Sequence, residues 1–245
     1  GIYEIDEPLL VENSNTIVLG MGLATLIPTK GNLCIKTEDV DGVIIAGILF
    51  DAGPIKSETL LEVGAKGSKA AHKENPILLS DVFFRVGGAA SYPAMSKSCI
   101  VINSNDVIGD NFWVWRADHG EQVAWDINTG ENGIIVNGDD VTIYGLFVEH
   151  FQEYQTIWNG NGGRTYFYQS EIPYDVPSQD KWKSHNNKVN GYASYKVAKD
   201  VTSHEAWGLG IYLYNRDASV ELYSAMEVPD REGVRIHNVC TVMIT

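Results

Sequence analysis

The sequence is poor in cysteine, in basic residues and in long apolar runs, and each deficit excludes a class of protein. Its three cysteines, Cys34, Cys99 and Cys240, have neither the spacing of metal ligands nor that of a disulfide framework. We expect all three to be buried as small apolar residues, although one disulfide is compatible with their number. Cysteine usage therefore leaves the cellular compartment open.

Basic residues are scarce relative to acidic ones. The chain has 18 Lys and Arg against 32 Asp and Glu, which gives a formal net charge of −14. This balance argues against nucleic acid or an anionic membrane surface as a partner. It also disfavours polyanionic substrates such as pectate or alginate, whereas a neutral polysaccharide fits.

No apolar run is long enough to span a bilayer, and no signal peptide is present. The sequence opens at Gly1 without an initiator Met, so we expect that an upstream segment has been removed. The expected localisation is secreted, that is, extracellular.

The pattern along the chain is that of an all-β protein. Strand-forming Val, Ile, Phe and Tyr alternate with turn-forming Asn, Gly and Asp, and no helical period of apolar residues persists over three turns. A turn-forming Asp, usually followed by Val, opens successive apolar runs. It occurs at Asp41, Asp81, Asp106, Asp140 and Asp200.

Short strands with polar turns at roughly repeating spacing predict a right-handed parallel β-helix, a pectate-lyase-like solenoid in which each coil stacks on the next. A β-sandwich is the competing all-β interpretation. The recurrence of Asp and Asn before each apolar run favours the solenoid. With 44% hydrophobic residues the chain can bury one core, so residues 1–245 are expected to form a single domain.

Two glutamates stand where apolar runs end. Glu149 and Glu171 are surrounded by aromatic residues, amides and a glycine-rich turn. A pair of carboxyl groups is what glycoside hydrolysis needs, because one protonates the leaving oxygen while the other activates water or attacks the sugar. The competing interpretation is that both glutamates occupy solvated strand ends.

Three segments have the character of insertions that build a site on one face of a solenoid. They are 113–132, 153–164 and 173–190, all rich in Trp, His, Asn or Asp. Aromatic faces can stack on pyranose rings and polar side chains can bind hydroxyls. The tryptophans could instead be packing anchors, and an isolated His is more often structural.

These residues carry a resemblance to a known family. The run Gly145-Leu-Phe-Val-Glu-His150 precedes Trp158-Asn-Gly160 and Gln169-Ser-Glu-Ile-Pro-Tyr-Asp175, with Gly191-Tyr-Ala-Ser-Tyr-Lys-Val197 and Gly208-Leu-Gly-Ile-Tyr212 after them. The set resembles glycoside hydrolase family 55, exo-acting β-1,3-glucanases built from two parallel β-helices with the active site in the cleft between them. The resemblance identifies this chain with the C-terminal β-helix and implies a second β-helix, domain or chain, as partner.

The resemblance also implies roles for residues. Glu171 matches the general acid and Glu149 matches the carboxylate that holds and activates the attacking water, in a reaction that inverts the anomeric centre. We expect apolar neighbours and the second carboxylate to raise the pKa of the acid. The substrate-binding residues expected around the pair are Trp115, His119, His150, Trp158, Gln169, Tyr174 and His204.

Asp118, Asp139 and Asp140 show no EF-hand or repeat spacing for calcium, so we expect no metal and no cofactor. Two other functions stay open. One is a carbohydrate-binding β-helix without turnover, and the other is a polysaccharide lyase, which is disfavoured because Arg164 is the one basic residue near the glutamates in sequence.

Overall fold

In the computed structural model, which describes residues 1–244, nearly all regular structure is β-strand. Strands alternate along the chain between two large parallel sheets, and each strand pairs with the strand one coil before and one coil after it. This is a parallel β-helix, so the predicted fold class is confirmed. The parallel pairing throughout both sheets excludes the β-sandwich.

The first sheet has nine strands and is called the long sheet here. Its strands, in spatial order, are β1 (Ile2–Ile5), β3 (Ile17–Pro28), β5 (Ile44–Asp51), β7 (Ile77–Val86), β9 (Val107–Arg116), β11 (Thr142–Glu149), β13 (Gly163–Glu171), β17 (Ser203–Tyr214) and β19 (Gly233–Ile244).

The second sheet, called the short sheet, has eight strands. They are β2 (Leu9–Val11), β4 (Ile35–Thr37), β6 (Leu61–Val63), β8 (Ser96–Ile102), β10 (Gly130–Val136), β12 (Thr156–Trp158), β16 (Tyr195–Val197) and β18 (Met226–Glu227). A small antiparallel pair, β14 (Lys183–Ser184) with β15 (Val189–Asn190), and a 3-10 turn at Gln179–Lys181 lie in the segment before β16.

From β5 to β19 the strands of the long sheet bend in the middle, because one residue in each of them adopts a left-handed conformation. In register these residues form a column along the solenoid: Gly47, Asp81, Asn111, Gly145, Phe167, Gly208 and Asn238. Each bend divides a long strand into a first and a second half with different outer surfaces. Asp81 therefore lies inside β7, whereas the other predicted turn residues precede their strands.

The core lies between the sheets and follows the two-residue alternation of the strands. In β11, for example, Ile143, Leu146 and Val148 are buried while Phe147 and Glu149 face outward. Ile35, Leu61, Ile100 and Ile134 stack on one another from coil to coil in the short sheet. Burial of such aliphatic columns is the main stabilising contribution in this fold.

Cys34 and Cys99 are buried free thiols, as expected, but Cys240 is exposed on the edge strand β19, so its predicted burial is wrong. Alternation along β19 places it on the outer face, in register with Gly210. Within residues 1–244 no helix combines the length and apolar character that crossing a bilayer requires. Thr245, the last residue of the predicted domain, lies outside the described residues.

Candidate active site

The two candidate catalytic glutamates lie side by side on one face. Glu149 ends β11 and Glu171 ends β13, and the parallel register pairs them directly. The same register places Trp115 beside Glu149 and Tyr212 beside Glu171. We call Trp115, Glu149, Glu171 and Tyr212 the site column. Neighbouring strands are about 4.8 Å apart, so both carboxyl groups can reach one bound molecule.

A second outward column runs parallel to the site column, two residues earlier in each strand. It consists of Phe83, Trp113, Phe147 and Gln169. The indole rings of Trp113 and Trp115 stack with centroids 5.3 Å apart. The glutamates therefore lie at the edge of an aromatic surface, and aromatic rings of this kind can stack on pyranose rings.

Glu149 is held by Trp113, whose Nε1 donates to Glu149 Oε2 at 2.9 Å. Burial raises the pKa of Glu149, and the negative charges of Glu171 and Asp118 add to the increase. The hydrogen bonds from Trp113 and Gln169 act in the opposite direction. A carboxylate with a raised pKa is a stronger base toward a water molecule than an ordinary glutamate.

Glu171 is held at both carboxyl oxygens. Gln169 Nε2 donates to Oε1 at 3.2 Å, and the Tyr174 hydroxyl donates to Oε2. Burial raises the pKa of Tyr174, and its bond to Glu171 raises it further, so the phenol remains a donor. The orientation of Glu171 is thus set from both sides.

Below Glu171 lies a buried network that anchors the surrounding loops. Arg116, completely buried at the end of β9, forms a two-pronged pair with Asp175, with Nη1 3.0 Å from Oδ1 and Nη2 2.7 Å from Oδ2. Arg116 also donates to the carbonyl groups of Asn128 and His150. This one side chain therefore joins the 117–129 segment, the end of β11 and the loop after Glu171.

Comparison with known proteins identifies the family. The family model of the LAM55 pectate lyase-like domain matches residues 1–171. The chain belongs to this family. The resemblance to glycoside hydrolase family 55 that the sequence predicted is thereby confirmed.

Relatives of this LAM55 chain include proteins of a Streptomyces strain. An exo-beta-1,3-glucanase of Streptomyces sp. (strain SirexAA-E / ActE) is 47% identical over 245 residues, which is 100% of this chain and 40% of the relative. The structure of sacteLam55A from Streptomyces sp. SirexAA-E has a TM-score of 0.94 at 46% identity, covering 99% of this chain and 44% of that one.

A glutamate-to-alanine variant of sacteLam55A in complex with glucose gives a TM-score of 0.93 at 47% identity, covering 97% of this chain and 42% of that one. The chain thus spans about two fifths of the length of the relatives that it matches.

Several predicted substrate-binding residues of the LAM55 chain lie at the candidate site. Trp115 is half-buried and flanked by His119, with ring centroids 5.3 Å apart. The His119 side chain is 77% exposed and its Nδ1 lies 2.8 Å from Asp118 Oδ1. Gln169 and Tyr174 contact Glu171 directly. The structure places these four side chains around the glutamates, where contact with substrate stays a prediction.

His150 lies at the site but is only 2% exposed, so its predicted contact with substrate is wrong. It follows Glu149, and its left-handed backbone with φ of 66° turns the side chain under Glu171. Its ring meets the Tyr174 ring edge-on, with centroids 4.4 Å apart.

Trp158 and His204 are buried in the core, so their predicted role in substrate binding is wrong. Trp158 is completely buried in β12 and packs on His204 with ring centroids 4.9 Å apart. His204 Nε2 lies 2.7 Å from the Tyr195 hydroxyl, and burial lowers the pKa of His204 to about 3. Segment 153–164 is an ordinary coil containing β12 rather than an insertion, which is why its Trp fills the core.

The sequence interpretation missed Trp113, Phe147 and Asp118. Trp113 and Phe147 could have been found, because each lies two residues before a site-column residue and strands repeat every two residues. Asp118 lies in a loop after β9, where no periodicity applies. Among residues 1–244, no group of three His, Cys, Asp or Glu side chains has the arrangement of a metal site.

Proposed function

We propose that this chain carries the catalytic carboxyl pair of an exo-β-1,3-glucanase that hydrolyses a neutral β-glucan. One observation carries the proposal. Glu149 and Glu171 are paired in register on the same outer face, beside stacked aromatic rings, in a family whose relative is an exo-beta-1,3-glucanase.

In the proposed reaction, Glu171 is the general acid and Glu149 positions and deprotonates water. Gln169 and Tyr174 hold the Glu171 carboxyl group in a fixed orientation, so that its proton can reach the glycosidic oxygen. Trp113 fixes the orientation of Glu149 by donating to Oε2, and in the proposed reaction the carboxylate binds the attacking water. Attack of that water on the anomeric carbon from the face opposite the leaving group inverts the configuration.

The central test replaces each carboxyl group by an amide. Glu171→Gln and Glu149→Gln should each reduce glucose release from laminarin by roughly 10²- to 10⁴-fold, because a positioned acid or base contributes about that much. Azide should partly restore turnover in Glu149→Gln by taking the place of the activated water, but not in Glu171→Gln. Both variants should unfold at the wild-type temperature, since Gln keeps the volume of Glu.

Two outcomes would redirect the proposal. Retained glucose release in both variants would remove the glutamates from the mechanism. Wild-type protein that binds laminarin without releasing glucose would instead indicate a carbohydrate-binding β-helix. The anomer formed first, followed by NMR, tests inversion, and a first-formed product that retains the β configuration would contradict the role of Glu149.

A second β-helix is part of the proposal. The outer face of the first half of the long strands carries four aliphatic residues in register on successive coils, Ile17, Ile44, Leu78 and Ile108, which we call the aliphatic stripe. Ile17 is 64% and Ile108 37% exposed. A continuous apolar surface of this kind is typical of a protein interface, and the site column lies across the strand bend from it.

We also propose that the protein acts outside the cell, because polymeric β-glucan is too large to cross a membrane. The test is fractionation of a culture of the source organism. Protein and laminarin hydrolysis should appear in the medium, and recovery from the cytoplasm alone would contradict extracellular action.

A further inference from the structure

Four stacked rings run along the outer face of the long sheet, in the first half of its strands. Tyr144, Tyr166, Trp207 and His237 are partners in register on β11, β13, β17 and β19. Successive ring centroids are 5.0, 4.7 and 5.2 Å apart, and the planes of successive rings differ by 12° or less. We call these four residues the aromatic ladder. Each ring inside it has both faces covered by its neighbours.

The ladder ends at Tyr144, where one ring face is open. The residue in register with Tyr144 on that side is Asp110, and the next one along the same column is Ser80. Both side chains are much shorter than tyrosine, so the Tyr144 ring forms a wall above a floor of Asp110 and Ser80. Tyr144 is 46% exposed. We call these three residues the step.

The two borders of the step differ in polarity. On one side lie Leu78 and Ile108 of the aliphatic stripe, each two residues before a floor residue. On the other side lie Asp81 and Asn111, each directly after a floor residue, and Asn111 Nδ2 donates to Asp81 Oδ1 at 2.6 Å. Rings of the ladder follow the strand separation of about 4.8 Å. A further ring stacked on Tyr144 would therefore lie above Asp110.

This arrangement suits a pyranose ring. The apolar face of a sugar can pack on the open aromatic face, while its hydroxyl groups donate to the Asp110 carboxylate and exchange hydrogen bonds with the Ser80 hydroxyl. The exposed carboxylate and the net charge of −14 disfavour an anionic ligand. Charged residues are depleted from the cores of protein interfaces. The step therefore belongs at the edge, not the centre, of the surface that the second β-helix would cover.

We propose that the step is a glycan-binding site separate from the site column, which holds one sugar unit of a neutral glucan against the open face of Tyr144. The choice of β-1,3-glucan as the glycan rests on the proposed function. A single stacked sugar binds weakly, but Tyr144 and Glu149 lie on the same strand. A polymer held at the step thus has its other units at a raised effective concentration near the glutamates.

The first test measures binding to insoluble β-1,3-glucan particles by depletion, using the complete protein that contains this chain with Glu171→Gln to prevent hydrolysis. Adding Tyr144→Ala should weaken binding by about 3- to 10-fold, the loss of one stacking contact. Tyr144→Phe should bind normally, because the ring face is what the sugar contacts. Tyr223→Ala is the matched control, since Tyr223 is 81% exposed and lies outside the ladder. It should leave binding unchanged.

Asp110→Lys tests the same site with the ladder intact, because its long side chain can lie over the open face of Tyr144 and occupy the place of the sugar. It should weaken binding as Tyr144→Ala does, even if Tyr144→Ala does not fold. With Glu171 restored, both changes should raise KM for laminarin and leave kcat unchanged. KM for laminaritriose should stay the same, because three sugar units are too short to occupy the step and the site column together.

Wild-type glucan binding by both Tyr144→Ala and Asp110→Lys would overturn the inference and leave the proposed function intact. An expanded complete protein in size-exclusion chromatography, with unchanged glucan binding, would assign the step to the contact with the second β-helix and also overturn it. Binding that depends on Tyr144 in a Glu171→Gln protein that still releases glucose would overturn the proposed function alone.

Discussion

Phe167 is the most strained residue in the column of strand bends. Its φ is 65°, while its neighbours in the column, Gly145 and Gly208, adopt the same conformation without a side chain. For a non-glycine residue this conformation costs about 1–2 kcal/mol. Its side chain is 59% exposed and contacts Phe147 edge-on, with centroids 5.6 Å apart, so packing offsets little of the cost.

Phe167→Asn should therefore raise the free energy of unfolding by about 0.5–1 kcal/mol, because Asn tolerates this conformation and already occupies the column elsewhere. Urea denaturation measures the change. Tyr166→Asn is the control. Tyr166, the residue next to Phe167, has ordinary strand conformation and its ring stacks between Tyr144 and Trp207, so this change should lower the free energy of unfolding. Destabilisation by Phe167→Asn would show that the ring contributes more than its exposure indicates.

His72 is a second residue with a measurable signature. Its Nδ1 lies 2.6 Å from Asp41 Oδ1 and its Nε2 2.9 Å from Asp39 Oδ1. Burial opposes a charge on the ring, but hydrogen bonds and attraction from both aspartates outweigh it and raise the His72 pKa. The charged ring thereby joins the loop before β7 to the turn before β5.

Because the folded-state pKa is raised, the stabilisation should be fully present below the unfolded-state pKa of about 6.5 and lost as pH rises through the folded value. The difference in unfolding free energy between wild type and His72→Gln should thus be larger at pH 6 than at pH 9. Urea midpoints at both pH values measure it. A difference that is independent of pH would show that His72 acts through packing rather than charge.

At the scale of elements, strands could be predicted where apolar residues alternated with a two-residue period and a polar residue marked the end of the strand. Glu149 and Glu171 could be found because each ends an apolar strand. Trp158 and His204 could not be placed, since aromatic and imidazole side chains occur both inside and outside a solenoid. Which side of a short strand faces the core depends on the coil register, and a single sequence does not show that register.

The Arg116–Asp175 pair connects three elements and was not visible in the sequence, because its members are 59 residues apart. Asp175→Asn should destabilise the protein by about 3–5 kcal/mol, since it leaves a buried guanidinium without its counter-charge. Arg235→Gln is the control, because its pair with Glu205 is exposed and 3.8 Å long. Thermal unfolding measures both, and equal small effects would show that Arg116 finds another partner.

At the scale of the molecule, the repeated turn residues predicted the solenoid. The columns of residues on its surface could not be predicted, because successive coils differ in length and the pairing of their strands is not visible in the sequence. Ile44 and Leu78 are separated by 34 positions and Leu78 and Ile108 by 30, yet they are stacked neighbours. No fixed sequence period reveals such a stripe. Only the register shows that these residues share one outer face.

The aliphatic stripe gives the last prediction. If a second β-helix covers it, charge placed there should prevent that contact without disturbing the core, because these side chains face outward. Leu78→Lys with Ile108→Lys should abolish association with the partner helix, while Val101→Lys with Ile135→Lys, on the outer face of the short sheet, should not.

Light scattering of the separately produced chain should show concentration-dependent self-association that the first pair of changes removes and the second pair leaves. Because the glutamates lie across the bend from the stripe, loss of the partner should also raise KM for laminarin more than it lowers kcat. A chain that stays monomeric with its stripe unmodified, and hydrolyses laminarin with the same KM as the complete protein, would contradict the partner.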